Sequence, residues 1–130
     1  MTGSAKAKGD RGELEVQSML RDLMGMPGIR RELGAGRQDD VGDIHGLPET
    51  VIQVARYEDV ARAIRTKMPD LERQRTNAGA RFAAMFVRRS RSPWIVVQSP
   101  EQFAETLRWA LVGIASVPDG DRDRVTVHGD

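Results

Sequence analysis

Residues 41–60 read VGDIHGLPETVIQVARYEDV, and the fold turns on how this stretch changes period. Val51 to Ala55 alternates and is β-branched, as a sheet strand is, with a turn around Leu47 and Pro48 just before it. From Glu58 the spacing becomes helical, with Val60, Ala61, Ile64 and Met68 falling on one side. DVGDIHG, ahead of the turn, supplies an earlier strand. A strand that runs straight into an amphipathic helix implies a sheet with helices laid against it.

Working outward, residues 1–8 form a polar N-terminal arm that is expected to be mobile. Gly9 to Met24 then carries Val16, Met19, Leu20, Leu23 and Met24, the stripe of an amphipathic helix. Glu13 projects at the edge of that stripe, whereas Glu15 and Asp22 point toward solvent. Pro27 and Gly28 break the helix, Ile29 to Leu33 forms a short strand, and Gly34 to Gly36 makes a glycine-rich turn.

Downstream, Pro69 is expected to open a further turn or helix through Asn77, and Asn77 to Gly79 is a helix stop. FAAMFV (82–87) and WIVV (94–97) are two apolar runs, expected as buried strands joined by the polar hairpin RRSRSP. Ser99 as N-cap, Pro100 at the first helical position and Gln102 at the capping-box position start a last helix. Its expected buried stripe is Phe103, Leu107, Ala110, Leu111 and Ile114. Ser116 to Asp130 has little to bury and is expected to be a disordered tail. The pattern predicts one α/β domain over residues 9–115, a central mixed β-sheet flanked by helices.

No apolar run approaches bilayer length, and the absence of cysteine excludes disulfides and thiolate zinc sites. The opening MTGSAKAKGD lacks the apolar segment of a signal peptide, so a cytoplasmic location is expected. The net charge is only +1, but of 20 basic residues just Lys6, Lys8 and Lys67 are lysines. The arginines cluster at Arg30, Arg31 and Arg37, at Arg73 and Arg75, and at Arg88, Arg89 and Arg91. Guanidinium forks match phosphate oxygens, so these clusters can form a phosphate-facing surface; a GC-rich genome also favours arginine.

A carboxylate on one strand and polar groups at alternate positions on the next can converge on a hard cation. Gln53 and Ala55 share a strand face. Asp43, the Gln53 amide and the Val54 backbone carbonyl offer oxygens suited to Mg²⁺, with Glu13 a direct or water-mediated ligand from the first helix. Phosphodiester cleavage there also needs a cation for the developing charge, a task for a lysine two residues past the strand ligand.

KGDRGELEVQSML, GAGRQDDVGDIHGLPETVIQVARYEDV and FVRRSRSPWIVV together resemble the PD-(D/E)XK nuclease superfamily, specifically the small Holliday junction resolvase-type nucleases of archaea and bacteriophages. The resemblance spans Lys8 to Phe103. Lys8, Gly9 and Glu13 match the start of the family's first helix, and Asp43 its metal-binding aspartate. Gln53 matches the QxKRY variant of Mrr-like restriction nucleases. It implies a restriction-endonuclease-like core and a Mg²⁺-dependent endonuclease, with Mn²⁺ able to substitute. It further implies a homodimer acting on branched or duplex DNA, with no small-molecule cofactor. Lys8, Arg30, Arg31, Arg37, Arg56, Arg88, Arg89 and Arg91 are the expected DNA contacts.

This chain departs from the pattern at Ala55, which stands in the lysine position. Arg56 is the nearest cation, but the period of two puts it on the opposite strand face. Ala55 therefore predicts weak or absent cleavage. Either a natural relative has lost the lysine, or lysine has been replaced by alanine in an otherwise intact site; the preserved flanks favour replacement. General or restriction-type DNA cleavage and a non-catalytic DNA-binding module are the alternatives. Asp39 and Asp40 read as a solvated turn, His45 as polar packing beside Asp43, and Trp94 as core.

Overall fold

The computed structural model describes residues 2–31, 42–56, 59–89 and 91–118, and for residues 2–10 and 56 the backbone alone. Its elements are α1 (Thr2–Met24), β1 (Arg30–Arg31), β2 (Ile44–His45), β3 (Thr50–Arg56), α2 (Val60–Ala78), β4 (Phe82–Arg88), β5 (Ile95–Val97) and α3 (Pro100–Ala115). They form an α/β fold with one five-stranded mixed sheet in the order β1-β2-β3-β4-β5. β3 and β4 are parallel, joined through α2, and every other neighbouring pair is antiparallel.

Alternation along β3 and β4 divides the core into two layers. Val51 and Ala55 on β3, with Ala83, Met85 and Val87 on β4, pack with Ala63 and Leu71 of α2. Ile52, Ala84 and Phe86 point the other way, against Val16 and Leu20 of α1 and against Ile29 and Ile44. Because β4 is covered on both faces, Ala83 to Val87 are all buried, as the continuous apolar run requires. Truncating Met85 to alanine here costs about 2–5 kcal/mol.

α1 is helical from Thr2 and does not open at Gly9; the alanines and lysines of residues 5–8 are good helix formers. Of its expected stripe, Val16 and Leu20 are buried, whereas Leu23 and Met24 run past the sheet and are exposed. α2 begins at Asp59, whose carboxylate accepts the Arg62 N–H at 3.1 Å. It ends at Gly79, whose φ of 62° lets the Gly79 and Ala80 N–H groups bond back to Thr76 and Arg75. Pro69 lies inside this one helix instead of opening another. Its missing N–H costs about 3 kcal/mol in an isolated helix, offset here by burial of Ala63 before it and Leu71 after it on one sheet face.

The C-terminal elements correct the sequence reading most. β5 was expected to be buried, but it is a sheet edge with Ile95 and Val96 about half exposed. The expected buried stripe of α3 is also exposed. The cause is the way α3 is anchored. Ala83 lies one rung beyond the last β4–β5 pair, Met85 with Val97. The Gln102 Oε1 accepts the Ala83 N–H at 2.9 Å, and the Gln98 amide donates to the Ala83 carbonyl at 3.2 Å. Two glutamine side chains thus complete the ladder where the backbone has left it. They turn the polar side of α3, with buried Gln102, toward the sheet and leave the apolar stripe facing outward. Ser99 caps α3 as expected, accepting the Gln102 N–H at 3.1 Å.

Candidate metal centre

The Ile44–Ile52 pairing sets Asp43 opposite Gln53 across β2 and β3, and opposed residues share a sheet face. Since Ile44 and Ile52 face α1, Asp43 and Gln53 face the α2 layer with Ala55. Gly42 makes this approach possible. With φ of +97°, a Cβ there would sit 2.8 Å from Val51 Cγ1 and 3.0 Å from the Ile52 carbonyl.

The Asp43 N–H bonds to the Ile52 carbonyl at 2.7 Å, and its carboxylate accepts the Val54 N–H at 2.8 Å. In an extended strand the N–H and C=O of one residue point to the same side, so the Val54 carbonyl also faces β2. Gln53 is buried, with 8% of its surface exposed, and its Oε1 has no hydrogen-bond partner among the described residues. A buried acceptor left unmatched costs about 1–3 kcal/mol. An oxygen-seeking cation would satisfy that atom, and Asp43 Oδ, Gln53 Oε1 and the Val54 carbonyl are the hard oxygens that would hold it. The residues present fit Mg²⁺.

Glu13 stands apart from this group. It belongs to the α1 layer, with Arg31 Nη1 3.9 Å from its carboxylate. Among the described residues, no three histidine or acidic side chains gather as a metal-holding group. Ala55 is only 4% exposed and packs in the apolar α2 layer. His45 lies on the Asp43 face in register with Arg30 of β1, which brings exposed Arg30 to the same side as the candidate centre.

The other expected DNA contacts divide into engaged and exposed. Arg88 is half-buried: its Nη1 is 3.0 Å from Glu15, and its guanidinium lies 5.0 Å from the Trp94 ring centroid. The Trp94 indole N–H also donates to Glu15 at 3.1 Å. Glu15, read from the sequence as solvent-facing, instead ties α1 to β4 and to the residue before β5. The missed pairing joins residues 73 and 79 positions apart, beyond any helical periodicity. Trp94 packs against the α1-side core as expected. Arg89 and Arg91 are exposed in the hairpin, Arg91 with φ of 65°. Arg37, Asp39, Asp40, Tyr57 and the Gly34–Gly36 turn lie outside the described residues, as do the side chains of Lys8 and Arg56 and the chain after Pro118.

No helix among the described residues is long and apolar enough to cross a membrane. Compared with known proteins, the chain matches no family model, no curated protein and no solved structure.

Proposed function

We propose that this chain is a Mg²⁺-dependent DNA endonuclease of the PD-(D/E)XK type, directed to four-way junctions and held at low activity by Ala55. One observation carries the reading: Asp43 lies opposite Gln53, whose buried Oε1 has no partner among the described residues. Gln53 is the central residue of β3, in register with Met85 of the parallel strand β4. Mg²⁺ bound there would supply an activated water and neutralise charge on the scissile phosphate. Asp43, Gln53 and the Val54 carbonyl would hold it; Glu13, on the α1 side of the sheet, would take no part. Arg30 offers a phosphate contact on the same face, and Arg89 and Arg91 offer contacts from the hairpin. Ala55 provides neither donor nor charge, so the water and the leaving oxygen lack the help a lysine would give.

A second reading, a DNA-binding module without catalysis, is favoured by one feature. Ala55 is buried in an apolar layer with Val51, Ala63 and Val87, an environment that disfavours a charged side chain there.

Thermal unfolding with and without Mn²⁺, together with cleavage of a four-way junction and of a linear duplex, tests both. The nuclease reading expects Mn²⁺ to raise the melting temperature of this chain and not of Gln53→Met. Gln53→Met without metal should be about 1 kcal/mol more stable, because it removes an unmatched buried acceptor. Absence of any Mn²⁺ response in this chain rejects the metal centre. Equal binding of junction and duplex in Ca²⁺ rejects the junction preference.

A further inference from the structure

We propose that the hollow on the α1 face of the sheet, between α1 and α3, is a binding site for a small neutral aromatic molecule. Its origin lies in the sequence of β4. Alternation puts Phe82, Ala84 and Phe86 on that face, so a single methyl group at Ala84 sits between two phenylalanines. Met24, the last residue of α1, and Thr106 of α3 form walls, and Leu47 and Phe82 also line the space. The resulting cavity measures about 210 Å³. Asp43 and Gln53 face the other side of the sheet, so the inference does not depend on the metal centre.

Size and chemistry select the ligand. A dry apolar cavity of about 150 Å³ takes benzene, and pockets for drug-sized molecules begin at about 300 Å³. The hollow lies between these and suits one ring with one or two small substituents. None of the described residues lining it is charged, which disfavours an ionic ligand. Its polar side chains have their donors engaged. The Thr50 hydroxyl donates to the Pro48 carbonyl at 2.8 Å, and the Thr106 hydroxyl to the Gln102 carbonyl at 2.9 Å. The Gln98 amide nitrogen donates to the Ala83 carbonyl at 3.2 Å and to the Thr106 hydroxyl oxygen at 3.5 Å. Water therefore meets acceptors but few donors, and an apolar group displaces poorly held water readily. The Gln98 Oε1 takes no part in these bonds and can accept one from a ligand hydroxyl. Met24 and Phe82 favour an aromatic guest over an alkyl one of equal size, through sulfur–ring and ring–ring contact.

NMR of the full chain labelled at its methionine methyl groups tests the assignment, with p-cresol as the probe. The Met24 resonance should shift and saturate with a Kd of about 1 mM or tighter, as a ligand of this size allows. Toluene, which lacks the hydroxyl, and cyclohexanol, which lacks the ring, should each bind about threefold more weakly or worse, and benzoate should not bind. Ala84→Leu fills the hollow from the sheet, and Thr106→Phe fills it from an exposed position of α3 where the fold is not at risk. Each should weaken p-cresol binding roughly tenfold or more while keeping the same circular dichroism spectrum. Absence of a saturable Met24 shift, p-cresol binding unchanged in either folded variant, or cyclohexanol or benzoate bound as tightly as p-cresol overturns the assignment. So does tighter binding of N-acetyltyrosinamide than of p-cresol, which would make the cavity a receptor for a side chain of another protein.

Discussion

The Asp43 carboxylate of β2 accepts the backbone N–H of Val54 on β3 at 2.8 Å. A side chain thus supplies a rung of the β2–β3 ladder, and it belongs to the residue set opposite Gln53 by the strand register. Structural and chemical roles therefore meet in a single carboxylate and must be separated by the choice of substitution. Asp43→Ala should lose about 1.5–3 kcal/mol in urea unfolding, because the Val54 N–H loses a charged acceptor. Asp43→Asn keeps an acceptor oxygen and should lose under about 1 kcal/mol. Both should abolish the Mn²⁺-dependent rise in melting temperature. An Asp43→Asn protein that keeps that rise would remove Asp43 from the metal centre.

Ala55→Lys asks whether the centre lacks only its cation. The new side chain must extend from a position 4% exposed, so urea unfolding should show a loss of about 1–3 kcal/mol from overpacking. The nuclease reading expects cleavage of branched or duplex DNA with Mg²⁺ or Mn²⁺ to appear in this variant above the level of the Ala55 protein. Equal, negligible cleavage by both folded proteins supports the binding-module reading.

Gly46 adopts φ of +99°, and a Cβ there would collide with the Gly28 carbonyl and lie 2.9 Å from Ile29 Cα. Those atoms are backbone and cannot swing aside. Gly46→Ala should cost about 3 kcal/mol or more, the sum of left-handed strain and displacement of the turn before β1. Gly79→Ala, with φ of +62° but nothing within 4 Å, should cost only about 1 kcal/mol. Chemical denaturation of the two variants side by side checks the difference.

The Arg75 guanidinium, bonded to Glu72 with its Nε 3.0 Å from Oε2, holds the Glu72 carboxyl below its ordinary pKa. A carboxyl lowered in the native state stabilises it fully above the unfolded pKa. That contribution is lost as pH falls through the lowered native value. Glu72 is exposed on α2 and Arg75 only partly covered, so Glu72→Gln should cost less than about 1 kcal/mol at neutral pH. The gap between the variant and the parent chain should close in acid. A gap that persists at the lowest pH would mean that packing, not charge, is responsible.

The strands and helices legible in the sequence were those whose burial follows from local period. Val51 to Ala55, the Gly79 stop, the Ser99 cap and the run at Phe82 to Val87 all announce themselves within a few residues. The strand ahead of the turn was legible too, and its pairing with β3 sets Asp43 opposite Gln53. Burial of α3 was misread because a periodic apolar stripe shows that a helix needs cover without showing where the cover comes from. Two glutamines, unremarked as anchors, decide which side meets the sheet. Glu15 was misread because Arg88 and Trp94 reach it only after the sheet has formed.

The same two glutamines also act as a register lock. β5 pairs with β4 over three residues only, few enough for a short edge strand to slide. A slip by one position would exchange Ile95 and Val96 between the two faces of the sheet, which their near-equal exposure would scarcely oppose. It would, however, pull Gln98 and Gln102 off the two polar atoms of Ala83. The alignment of the strand is thus enforced by the helix that follows it, and a Gln98→Leu, Gln102→Leu protein would be free to shift frame.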